Sequence, residues 1–175
     1  MDPAKVSVIA SVIFREDEHL RMAVSFLEEL LGGIDYMSEI LPFDFTVYYE
    51  VEMGSNLKRR ILSFENLADI EGLHRLKLRT CSFERETSVD GKRRVNIDPG
   101  YLSLNQLVLF TTKNYTHRIY LGDGIYADLT LVYMKGSFRS LPWTYPDYGS
   151  SRYIEMFNRI RTMYKEKLRH ERYPG

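Results

Sequence analysis

The stretch Val6-Ser7-Val8-Ile9-Ala10-Ser11-Val12-Ile13-Phe14 sets the reading of this chain. It is apolar, rich in β-branched residues and bounded by charge, the pattern of a buried strand. Glu16, Asp17 and Glu18 follow and suit the first turn of a helix, where the dipole favours negative charge. Leu20, Val24, Leu27 and Leu31 then line one helical face, and Gly32-Gly33 stops it. Tyr36 to Leu41 reads as a second strand ending before Pro42. Asp44 to Met53 is open between a strand, favoured by its Thr, Val and Tyr residues, and a short helix. Lys58 to Phe64 reads as a third strand. A second helix is expected from about Ala68 to Glu86, with Ile70, Leu73, Leu76, Thr80 and Phe83 toward the core. After the turn signal Asp90-Gly91, Arg94 to Ile97 reads as a fourth strand. The order so far is β-α-β-β-α-β, the ferredoxin-like order.

Further on, Ser103 to Thr112 has helical spacing at Leu104, Leu107, Val108 and Thr111, with Ser103 as a potential N-cap, but a β-rich composition. Gly122-Asp123-Gly124 between Ile119–Leu121 and Ile125–Met134 is a hairpin signature. The long arm alternates Ile125, Ala127, Leu129 and Leu131 with Tyr126, Asp128, Thr130 and Val132. A terminal helix is expected from about Ser151 to Arg169, with Ile154, Phe157, Ile160, Tyr164 and Leu168 on one face, before a frayed Tyr173-Pro174-Gly175. The expected fold is α+β: a mainly antiparallel sheet with helices on one face, a ferredoxin-like core, then a C-terminal hairpin and helix. No linker, repeat or low-complexity tract interrupts residues 1–175, so a single domain is expected.

The chain has 44% hydrophobic and 27% charged residues, within the range of globular proteins. Its 24 basic and 24 acidic residues cancel, which lowers the expectation of RNA or DNA as a partner. A single cysteine, Cys81, permits no intrachain disulfide and fits a reducing compartment. With no secretory signal and no apolar run near the ~20 residues of a membrane span, a cytoplasmic protein without membrane contact is expected. The sequence leaves the oligomeric state open.

No P-loop, dinucleotide fingerprint, Cys/His zinc pattern or G-x-S-x-G elbow is present. The polar residues cluster instead. Asn96-Ile97-Asp98-Pro99-Gly100-Tyr101 is first a turn, since Pro presets φ and Gly admits φ > 0. At a strand end, Asn96 and Asp98 could also hold a ligand hydroxyl or a divalent cation. Lys113-Asn114-Tyr115-Thr116-His117-Arg118 is either a solvated loop or an anion grip with Arg118 as its fork. Asp123 is explained by its turn. Asp128 sits within a strand pattern, where a solvated face is the plainer account and a cation or basic neighbour the other. The runs Lys58-Arg59-Arg60 and Lys92-Arg93-Arg94 alternate sides in strands. They would form an anion patch with Tyr101 and other tyrosines, or simply pair with Glu50, Glu52, Glu84 and Glu86. Leu41 to Thr46 and Pro142 to Asp147 are aromatic loops that rim a pocket or plug the core.

Together LPFDFTVYYEVEMG, LKRRILSFENL, RRVNIDPGYLSL, LVLFTTKNYTHRIYLGDGIYADLTLVY and LPWTYPDY resemble the domain of unknown function 4416 family of bacteria and archaea, over most of the chain. Members often carry the label GTP-binding protein, which implies a nucleotide. This chain has neither a P-loop nor an Asn-Lys-x-Asp guanine motif; Thr112-Lys113-Asn114-Tyr115 lacks the aspartate. The family supplies no catalytic residues to carry over.

The expected function is binding, with turnover left open, of a phosphorylated small molecule or nucleotide. Lys58, Arg60, Arg94, Asn96, Tyr101, Lys113 and Arg118 are the candidate ligand contacts, with Asp98, His117 and Asp128 for acid–base work. Asp98 and Asp128 are the candidates for a divalent cation. The alternatives are an RNA-binding or regulatory module on a basic, Tyr-bearing sheet face, and a structural or interaction protein.

Overall fold

The computed structural model describes residues 3–172; the chain end Tyr173-Pro174-Gly175, expected to fray, lies outside the described residues. Among the described residues the fold is mixed α and β, with nine strands, antiparallel throughout, and four α-helices. The chain divides into two compact units. No described helix is long and apolar enough to cross a membrane.

Residues 9–66 and 76–99 form the first unit. Its elements are β1 (Val6–Phe14), α1 (Asp17–Leu31), β2 (Ile34–Met37), β3 (Leu41–Pro42), α2 (Glu50–Met53), β4 (Lys58–Ala68), α3 (Leu76–Glu86) and β5 (Val95–Leu102). The sheet order is β2-β4-β1-β5, with the short β3 also on β4. This is the expected ferredoxin-like arrangement: β1, α1, β2, β4, α3 and β5 supply the β-α-β-β-α-β sequence, and β1 lies centrally. Every residue of β1 is buried, as its unbroken apolar run requires. Helices α1 and α3 meet through stacked rings, Phe26 on Phe83 at 4.2 Å. Ile13 of β1 packs with Phe43, Met53 and Leu57, so the segment before β4 supplies core as well.

Two expectations change here, and one open choice is resolved. The second helix begins at Leu76, because β4 runs on to Ala68 and a turn with a 3-10 segment, Leu73–Arg75, intervenes. Tyr36 to Leu41 is not one strand: Ser38 breaks it, its backbone pairing with Ile61 O while its hydroxyl accepts the Ile61 N–H at 2.9 Å. Asp44 to Met53 forms turns and α2 instead of a strand. Beside it, β4 is already paired by β2 and β3, and local bonds such as Met53 N–H to Tyr49 O satisfy the backbone.

The second unit comprises, among the described residues, 3–8, 67–75 and 100–172. It holds β6 (Gln106–Thr111), β7 (Arg118–Gly122), β8 (Ile125–Met134), β9 (Ser137–Ser140) and α4 (Ser151–Arg172), with sheet order β5-β6-β8-β7 and β9 also on β8. The Ser103 to Thr112 ambiguity resolves as strand. Ser103 caps no helix; its hydroxyl accepts the Asn105 and Gln106 N–H groups at 3.3 and 3.1 Å and turns the chain from β5 into β6. The Gly-Asp-Gly hairpin forms as expected, with Asp123 at φ 54° and Gly124 at φ 75°. Phe157, Ile160, Tyr164 and Leu168 of α4 are buried, and the Tyr164 hydroxyl donates to Lys5 O at 2.7 Å.

Asp98-Pro99-Gly100 is not a turn. All three residues lie inside β5. Gly100 is there because β6 crosses too closely for a side chain: a Cβ would collide with the Val108 carbonyl oxygen and crowd the Leu109 Cα. Turn composition thus conceals a close backbone approach. Gly100→Ala is expected to lose about 1–3 kcal/mol in urea unfolding, the usual cost of overpacking. Gly91→Ala, where a Cβ meets nothing within 4 Å, should lose only the left-handed backbone cost of about 1–2 kcal/mol.

Candidate functional site

The main polar cluster lies in the first unit, between α3, β5 and α2. On α3, Lys77, Thr80, Cys81 and Glu84 share one face at i, i+3, i+4 and i+7. On β5, Asn96 and Asp98 share one face. The buried Lys77 ammonium donates to Asp98 Oδ1 at 3.0 Å and to Ile97 O at 3.1 Å. Asn96 Nδ2 donates to Asp98 Oδ2 at 2.8 Å, and Arg93 Nη1 donates to Asn96 Oδ1 at 2.9 Å. Arg93 also grips Glu52 of α2 in bidentate fashion, Nε to Oε1 at 2.9 Å and Nη2 to Oε2 at 2.7 Å. Behind them, Glu84 accepts the Ile97 N–H at 2.7 Å and lies 3.7 Å from Arg93 Nη1. The Arg59 guanidinium sits 4.6 Å from the Phe43 ring centroid and 5.7 Å from that of Phe45; Arg93 lies 5.7 Å from that of Tyr49.

Formal charge balances in this cluster: Arg59, Lys77 and Arg93 against Glu52, Glu84 and Asp98. Exposure separates its members. The side chains of Lys77 and Glu84 are 8% and 5% exposed, those of Asp98, Arg93 and Glu52 28%, 29% and 30%. Burial opposes ionisation of Asp98, but the Lys77 charge, its hydrogen bond, Arg59 and Asn96 outweigh burial and hold the carboxyl below its ordinary range. Burial likewise works against the Lys77 ammonium, and the charges of Asp98 and Glu84 outweigh it, raising its pKa. Glu84 goes the other way: burial dominates and pushes its carboxyl up. Tyr49 is raised by burial and by Asp98, so it stays a neutral phenol. The arrangement is a partly exposed, ionised carboxylate whose two oxygens are oriented from below.

A second cluster lies in the other unit. Asp128 Oδ2 takes both His117 Nε2 at 3.0 Å and Arg118 Nε at 2.8 Å. Trp143 stacks on His117 at 5.0 Å, and Tyr115 meets it edge-on at 5.7 Å. Trp143 is anchored by its indole N–H to Leu129 O at 2.7 Å. The His117, Arg118 and Asp128 side chains are each about one-tenth exposed, at 10%, 11% and 10%. Asp128 therefore does not face solvent as the plainer sequence account had it. The β6–β8 register slips past Thr130, so alternation breaks there and the adjacent Thr130 and Leu131 are both buried, while Asp128 is held inside by His117 and Arg118.

The expected site residues thus divide. Asn96 and Asp98 meet in the first cluster; His117, Arg118 and Asp128 meet in the second. Lys58 pairs with Asp17 at 3.4 Å. Arg60 and Arg94 are half-buried, and Tyr101 leans on Phe110 at 5.9 Å. Lys113 contributes its carbonyl to Arg118. The basic runs do not make one outward patch, because Arg59 and Arg93 turn into the first cluster. The pairing of Arg93 with Glu52 and Glu84 is the ion-pair alternative for that basic run. Among the described residues no group of three or more His, Cys, Asp and Glu is arranged to hold a metal ion. Elsewhere in the second unit, Ser137 to Ser140, Ser151, Ile154, Glu155 and Asn158 line an open groove of about 560 Å³. Of the aromatic loops, the first plugs core through Phe43 and the second covers His117 with Trp143.

Sequence reading missed Lys77 altogether, and it reached Arg59, Arg93, Glu52 and Glu84 only as an ion-pair alternative, not as site residues. A signal existed: with Thr80 set toward the core, Lys77 and Glu84 fall on the same face.

Removing Lys77 would strand Asp98 and Ile97 O. Lys77→Met is expected to lose about 3 kcal/mol or more in urea unfolding, against less than about 1 kcal/mol for the exposed pair partner in Lys58→Met. Because the folded pKa of Asp98 is depressed, its contribution is present above its unfolded value near ~3.9 and is lost as pH falls through the lower folded value. Asp98→Asn should therefore flatten the acid limb of a stability-against-pH curve measured by urea midpoint. Glu84 has the opposite sign: its raised pKa costs stability as pH rises past its unfolded value, so Glu84→Gln should remove that loss.

No curated protein and no solved structure matches the chain. A family model described as "Domain of unknown function (DUF4416)" matches residues 4–164. With nearly the whole chain covered, in keeping with the resemblance of its motifs, the protein belongs to the DUF4416 family.

Proposed function

We propose that the protein binds a small phosphorylated, hydroxyl-bearing molecule, of sugar-phosphate or nucleotide type, at the Asp98 cluster. The observation that carries this reading is Asp98 itself: ionised, 28% exposed, and oriented by Lys77 and Asn96 through one hydrogen bond to each oxygen. Each carboxylate oxygen keeps a further lone pair for a ligand hydroxyl. Arg93 commits Nε, Nη1 and Nη2 to Glu52 and Asn96 and retains N–H hydrogens for an anionic oxygen. Phe45 and Tyr48, exposed at 41% and 61%, supply apolar surface on the segment that carries Tyr49.

The reading is binding more than turnover. A general base works best with a pKa near the operating pH, and Asp98 is shifted away from it. The same reading places the protein in the cytoplasm, where its single thiol stays reduced.

The test is a thermal-shift panel of sugar phosphates, nucleoside monophosphates and inorganic phosphate, with and without Mg²⁺, beside a single-stranded RNA titrated at two salt concentrations. A true ligand at a hundredfold excess over Kd should raise Tm by about 5 °C or more, and Asp98→Asn should abolish the rise. If no small molecule stabilises the protein, or if Asp98→Asn responds like the parent, the reading fails. Steeply salt-dependent RNA binding would put the nucleic-acid alternative in its place.

A further inference from the structure

We propose that β7 is a self-association edge, at which two copies of this chain pair their β7 strands antiparallel across a twofold axis. β7 ends the strand order of its unit, with β8 on one side. Its three central residues are exposed although all are large and apolar: Ile119 at 70%, Tyr120 at 59% and Leu121 at 40%. Monomeric edge strands are ordinarily guarded by charge or proline, and residues 119–121 carry neither. The guard β7 does have is a bulge at Leu121, at the turn end of the strand.

The occupant follows from self-complementarity. Antiparallel pairing centred on Tyr120 sets Tyr120 against Tyr120 and Ile119 of each copy against Leu121 of the other, apolar and aromatic pairs of the kind that stabilise a ladder. It also brings the exposed Lys113, in the loop before the strand, toward the hairpin-turn end of the other copy, where Asp123 stays half-exposed beside His74 and Arg75 of its own chain. Parallel pairing would set Asp123 on Asp123 and Lys113 on Lys113. Charge therefore selects the antiparallel arrangement, and a twofold contact closes on itself.

The experiment uses the full chain. Sedimentation velocity over a wide concentration range should show a reversible dimer, and Ile119→Lys should shift it to monomer with an unchanged circular dichroism spectrum and a Tm that no longer depends on protein concentration. In a Cys81→Ser background, Tyr120→Cys should form a disulfide-linked dimer under mild oxidation. Directly opposed strand residues lie about 4.5–5.5 Å apart at Cα, within disulfide reach. Val47→Cys, at a still more exposed position on the other unit, should not cross-link. A parent chain that is monomeric at every concentration overturns the proposal and leaves an extended segment of another protein as the occupant to seek. A dimer that survives Ile119→Lys overturns it too. If Ile119→Lys fails to fold, the cross-link decides alone.

Discussion

A buried ammonium group constrains the first unit more than any other single feature. An unpaired charge in a low-dielectric interior is prohibitively costly, so Lys77 can be where it is only if acceptors are held at its tip. Ile97 O and Asp98 supply them, and that requirement fixes α3 against β5 in register as well as in orientation. The constraint propagates. Asp98 must keep one rotamer, Asn96 is oriented by the other carboxylate oxygen, Arg93 by Asn96, and Glu52 of α2 by Arg93. A four-residue helix too short to stand alone is thus tied to a strand by a chain of charge-assisted bonds.

The two clusters show how similar residues reach different outcomes. Both centre on an aspartate with two nitrogen donors. At Asp98 the donors divide between the two oxygens and the carboxylate remains open to solvent. At Asp128 both strong donors crowd one oxygen, Thr130 lies 3.4 Å from the other, and Trp143 covers the histidine. The first is an oriented acceptor with capacity left over. The second is a closed ion pair that joins the loop before β7 to β8.

Much of the fold was legible because backbone periodicities are local. The nine buried residues of β1, the acidic start of α1, the β7–β8 turn and the apolar face of α4 each follow from spacing within one element. The errors and the open choices came where a partner elsewhere decided the matter. Asp98-Pro99-Gly100 has turn chemistry, but the close passage of Val108 explains Gly100. Asp44 to Met53 has strand composition but no free strand beside it. The same limit governs the site. Asn96 and Asp98 could be singled out because they stand together in sequence, whereas Lys77, Arg59 and Glu52 reach them from separate elements. Arg59 was passed over for a further reason: its neighbours Lys58 and Arg60 share the opposite face of β4.

Trp143 is the only tryptophan in the chain, and it stacks on His117 within the second unit. Its emission is therefore a local probe. Denaturation followed by fluorescence monitors the shell around Asp128, while circular dichroism averages over both units. Coincidence of the two signals would mark a single cooperative transition, and separation would expose an intermediate with one unit melted.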